Sequence, residues 1–232
     1  MLRRSVAVRR PHILVRGRQR KQSIKSLVLN ISAKADFNLN FENGTVHSIR
    51  SISQRGLALA WARLARGGLP PFDRFEPDPR THDPKQLAVW KVEGSGAQTD
   101  FRGLYRGSLI DEAFNEGWTG KTLTEITPPL LQPAIIGASR QCATTACAAY
   151  TILETYDAEG FAVNLERLLL PFGRDSRVQI ILASLQLISL HGTVSRRDVV
   201  RNFQAHCETV VSITISAASV LVSDRANMAE LP

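Results

Sequence analysis

The pattern of apolar and polar positions changes period several times along the chain, and each change marks a predicted element. Leu57, Ala60, Trp61 and Leu64 recur at helical spacing, with Arg55, Arg63 and Arg66 elsewhere on the wheel, which predicts a helix over Ser53–Ala65. Gly67-Gly68 stops it and Leu69-Pro70-Pro71 prevents it from resuming. An acidic, proline-rich link, Pro70 to Pro84, should run extended. Leu87–Val92 and Phe101–Tyr105 read as strands around a loop of hairpin composition, Glu93 to Asp100. Ser108 with Asp111 opens a brief helix that ends at Gly117, and Trp118–Lys121 is a turn. Thr122–Ile126 and the alanine-rich Leu130–Cys147 are the next helices, separated by Pro128-Pro129.

From Ala148 the period becomes that of strands. Tyr150–Tyr156, Phe161–Pro171 and Val178–Ser189 are joined by turns at Asp157–Gly160 and Gly173–Ser176, a spacing that implies antiparallel neighbours. Two strands, several short helices and three strands define an α+β fold. The expectation is a five-stranded antiparallel sheet with short helices on one face and flanking N- and C-terminal helices. Val199, Val200, Phe203, Cys207, Val210 and Val211 suit an amphipathic helix over Thr193–Val211, whereas the Val, Ile and Thr content after Thr209 leans toward strand. The chain thus divides into a basic extension, 1–45, read as disordered, a domain over 53–189, and a C-terminal helix and tail over 190–232.

Charge changes the picture only at one end. The formal net charge of +8 comes from residues 1–26, which hold nine Lys or Arg and no acid; the rest has 20 basic against 21 acidic residues. The pI therefore says nothing about what the domain binds, and nucleic acid or an anionic membrane surface is a candidate only through residues 1–45. Three cysteines, Cys142, Cys147 and Cys207, offer no disulfide framework, and a reducing cytoplasm is the expected compartment. Cys142 and Cys147 lack further ligands nearby to complete a metal site, and no secretory or transmembrane segment is read from the pattern.

Several segments together resemble a bacterial, largely alphaproteobacterial family of standalone PAS-like domains. They are Trp61-Ala-Arg-Leu-Ala-Arg-Gly-Gly-Leu-Pro70 with Asp78-Pro79, Phe101-Arg-Gly-Leu-Tyr-Arg-Gly107, Trp118-Thr-Gly-Lys-Thr-Leu123, and Glu166-Arg-Leu-Leu-Leu-Pro171 with Val178–Ile188. Phe114-Asn-Glu-Gly117 and the end of Leu87–Val92 depart from the family pattern. The resemblance implies a sheet of order 2-1-5-4-3 with helices over its concave side. It also implies sensing or protein interaction through a partner or a second copy, rather than a named reaction.

A PAS-type core cups an apolar pocket, for which Tyr105, Phe114, Trp118 and Phe172 are the candidate lining residues and a small apolar metabolite the candidate ligand. The cofactor is unknown. Haem is not expected, because His12, His47, His82, His191 and His206 all lie outside 87–189. Flavin photochemistry is not expected, because Cys142 lies in Ser-Arg-Gln-Cys-Ala-Thr rather than Asn-Cys-Arg. Glu166 reads as one partner of a solvated pair on the sheet. No Gly-x-Ser-x-Gly elbow or phosphate loop is present, and the protein is not expected to be an enzyme.

Overall fold

The computed structural model describes residues 39–65, 68–80, 82–114, 117–157, 160–189 and 206–229, with side chains 113–114 and 225–229 excepted. Strands are β1 (Glu42–Asn43), β2 (Leu87–Glu93), β3 (Asp100–Arg106), β4 (Ala148–Tyr156), β5 (Ala162–Arg174), β6 (Arg177–Ser189) and β7 (Glu208–Ile215). Helices are α1 (Ile52–Leu64), α2 (Ser108–Phe114), α3 (Leu123–Ile126), α4 (Gln132–Thr145) and α5 (Ala217–Ala229). Among the described residues the strands form one sheet in the order β1-β7-β4-β5-β6-β2-β3. Its middle, β4-β5-β6-β2-β3, is the expected five-strand order read from the other edge, and every pairing in it is antiparallel.

Local chemistry accounts for the boundaries. Ser51 caps α1 by accepting from the Gln54 amide at 3.3 Å, and Thr122 with Glu125 forms a capping box on α3. The β5–β6 hairpin turns at Asp175-Ser176, both at positive φ (51° and 61°), as a two-residue turn between right-twisting strands requires. The glycines of Phe101–Gly107 allow close approach: a Cβ on Gly103 would lie 2.6 Å from the Trp118 carbonyl oxygen, and one on Gly107 would strike the backbone of Lys85.

Helices cover both faces. On one, α1 and α5 pack over Leu87, Val89, Tyr150, Ile152, Leu168, Leu170, Phe172, Leu182, Ile213 and Ile215. Trp61 Nε1 donates to the Pro171 carbonyl at 2.8 Å, and Gln54 Nε2 donates to the Ser184 carbonyl at 3.0 Å, fixing α1 to β5 and β6. On the other face α2, α3 and α4 pack over Ala88, Trp90, Phe101, Ala149, Leu169, Ile181 and Ala183. Burial on both faces explains why β5 is buried at every position from Val163 to Gly173.

Two expectations are corrected. The amphipathic helix drawn through Val211 is a strand from Glu208 onward: β7 pairs antiparallel with the free edge of β4, and its Thr, Val and Ile content suits that half-covered edge. The C-terminal helix lies further on, at Ala217–Ala229, and residues 193–205 of the predicted helix fall outside the described residues. Glu42–Asn43, from the stretch read as disordered, adds a short parallel edge to β7; residues 1–38 of that stretch fall outside the described residues.

Candidate functional site

The three aromatic candidates whose side chains are described do not converge. Trp118 is buried on the α4 face, its ring 5.6 Å from that of Trp90 and stacked by the Arg106 guanidinium at 5.3 Å. Phe172 is buried on the α1 face, with ring centroids 5.2 Å from Phe72 and 4.9 Å from Phe75. Tyr105 is 47% exposed, and its hydroxyl donates to the Pro84 carbonyl at 3.3 Å. A register shift explains it: Trp90 pairs with Gly103 but Val89 with Tyr105, so Leu104 is the extra residue and Tyr105 turns to the face opposite Phe101. The Phe114 side chain lies outside the described residues.

Polar groups do converge, at the centre of the sheet. Arg167 on β5 is 4% exposed and points under α4, where Nη2 donates to the Ile135 carbonyl at 3.4 Å. That carbonyl already accepts from the Ser139 hydroxyl at 3.0 Å, and Arg167 Nη1 is buried with no hydrogen-bond partner. Arg167 pairs across the ladder with Thr151, and Thr151 with Ser212, so the three side chains stand in a row on one face. The Thr151, Ser212 and Thr209 hydroxyl oxygens are likewise buried and unpartnered. No carboxylate among the described residues pairs with Arg167. Burial pulls the guanidinium down to about 10, with the Cys207 sulfur opposing, and burial pushes the Cys207 thiol up to about 11.

The opposite face carries a second buried group. Glu166 is 1% exposed, so the solvated pair expected for it is corrected: β5 is the middle strand of the seven, covered on both faces, and no position from Val163 to Gly173 reaches water. Glu166 Oε2 has no hydrogen-bond partner, nor do Gln54 Oε1 and Asn164 Oδ1. Burial first, and the Glu166 carboxyl further, push the Tyr150 phenol well above its ordinary range, while a hydrogen bond from the Arg50 amide works against them. Two open clefts lie elsewhere. One, of about 390 Å³, runs along the outer side of α4 by Phe41, Gln132 and Arg140; the other, of about 330 Å³, lies between Phe72 and Ile180.

Sequence reasoning missed Arg167, Thr151 and Ser212. The available signal was a Glu-Arg pair inside the apolar run Leu165–Leu170, since a charge at the centre of a strand covered on both faces has no route to water. Among the described residues, no three His, Cys, Asp or Glu side chains are grouped to hold a metal, and no helix is long and apolar enough to cross a membrane.

No family model matches the chain, and no curated protein matches it. Among solved structures, one described as "Structure of an RNA-binding Light-Oxygen-Voltage Receptor" aligns with 53% of this chain at 17% identity and a TM-score of 0.33. The alignment covers 33% of that receptor chain, so the present chain spans about a third of its length.

Proposed function

We propose that this protein is a PAS-type sensory and interaction module that acts through a protein partner or a second copy of itself, in the cytoplasm, and catalyses no reaction. The observation that carries the reading is the order β4-β5-β6-β2-β3 with short helices laid over one face. That layout encloses the α4 face and leaves α1 and α5 together on the other, tied by the Arg63–Asp224 ion pair at 2.9 Å. A small molecule held under α4 would be sensed through the sheet by α1, which is anchored to β5 and β6 by Trp61 and Gln54. Ile52 and Val222 are 79% and 69% exposed, which suits α1 and α5 to association.

Light scattering of the full chain across a micromolar concentration series, with a pull-down at the highest concentration, tests this reading. Concentration-dependent dimers or a specific partner support it. A monomer throughout with no partner contradicts it. A second reading, binding of nucleic acid or anionic membrane, rests on the nine basic residues of positions 1–26. Deleting residues 1–38 abolishes salt-sensitive binding under that reading and leaves association unchanged under the first.

A further inference from the structure

The row Arg167, Thr151, Ser212 sets buried, unpartnered polar atoms side by side on the α4 face, next to an apolar cluster. From the geometry we infer that the α4 face binds a small apolar carboxylate, with its headgroup on Arg167 and its tail along Leu153, Leu165 and Leu185. The inference rests on the sensory reading and names the ligand class for the same face. A guanidinium shut away from water with one shared carbonyl as partner is held at a cost, and an anion on Nη1 removes that cost. A carboxylate matches the planar fork of an arginine, and the Thr151 and Ser212 hydroxyls supply further donors along the row.

The apolar part of the site is equally specific. Leu131, Ala134, Leu153, Val163 and Leu165 form a separate buried cluster beneath the start of α4, with Leu185, Leu187 and Cys207 half-buried at its margin. This margin, at the end of β6, gives a tail its route in. The sheet side of α4 presents Ala134, Ala138 and Cys142, small residues four apart, which lets α4 lie low over the sheet. Inorganic phosphate has the charge without the tail, and a neutral alcohol has the tail without the charge.

Thermal unfolding of the full chain is measured with octanoate, 1-octanol or phosphate, for wild type, R167M and T151V. Octanoate raises the wild-type Tm by at least about 2 °C, the other two do not, and the shift is lost in R167M and reduced in T151V. In the absence of any additive R167M melts at or above the wild type, because an uncompensated buried charge has been replaced by an apolar chain. An equal shift with octanol, an equal shift with phosphate, a shift retained in R167M, or no shift at all overturns the inference. If R167M fails to fold, T151V, which keeps the charge and nearly the volume, decides between these outcomes: an octanoate shift as large as that of the wild type overturns the inference. Dimers or partner capture persisting without any octanoate effect leave the sensory reading standing while this ligand class falls.

Discussion

Glu166 and Arg167 are consecutive on β5 and point to opposite faces of the sheet, and both are buried. Arg167 meets α4 through the Ile135 carbonyl; Glu166 lies beside Tyr150, and its own carbonyl accepts from Gln54 of α1 at 3.4 Å. One peptide unit therefore links the α4 face to the helix fixed on the other. Under the proposed reading, a ligand on Arg167 acts on the same strand segment on which α1 is seated.

The Gln54 anchor is the first place to test that link. Gln54→Ala leaves the Ser184 carbonyl short of a buried donor and opens a void, so it should destabilise by about 2 kcal/mol. Hydrogen exchange should show α1 amides protected less than the β5–β6 ladder. Equal loss of protection in both would mean that α1 does not open separately.

Glu166→Gln keeps the side-chain shape while removing the possibility of a buried charge. With no cationic partner among the described residues, the change should leave stability equal or raise it by up to about 1 kcal/mol in urea unfolding. A loss larger than that would reveal an ionic partner.

The β5–β6 turn offers a gain. Asp175 and Ser176 hold φ of 51° and 61°, where asparagine and glycine are at ease, so the double change D175N/S176G should stabilise by about 1 kcal/mol. That corresponds to a Tm higher by roughly 2–4 °C in a domain of this size.

Stability should fall as pH rises above about 9. Burial raises the thiols of Cys142 and Cys207 and the phenol of Tyr150, so the folded protein keeps protons that the unfolded chain releases near pH 9 to 10. Their contribution is complete below the unfolded value and is lost as pH climbs toward the folded ones. Arg167 works in the other direction, but only from its lowered value of about 10 upward, where the native state sheds its proton first. Urea midpoints at pH 7.5, 9 and 10 check the sign: a flat or rising series contradicts it.

How much could be read from the residues depended on whether the information was local. The β4–β6 meander was legible because Asp157–Gly160 and Gly173–Ser176 are turn sequences between apolar runs. The strand β7 was only half legible: Thr209 to Ile215 favours strand by composition, but its partner β4 lies more than 50 residues earlier, and Val199 to Cys207 continues a helical spacing into it. The separation of Tyr105 from Trp118 was not legible, because which face a strand residue occupies depends on bulges, and the extra Leu104 turns Tyr105 away. Arg167 went unnoticed because a strand covered on both sides shows no alternation against which its charge would stand out.

Native mass spectrometry of the purified full chain, wild type beside R167M, probes the proposed ligand site on the α4 face directly. The account predicts a non-covalent adduct of small mass on the wild type, anionic once released, and its absence from R167M. A wild-type protein with no adduct even after incubation with octanoate, or an adduct carried equally by R167M, would contradict it.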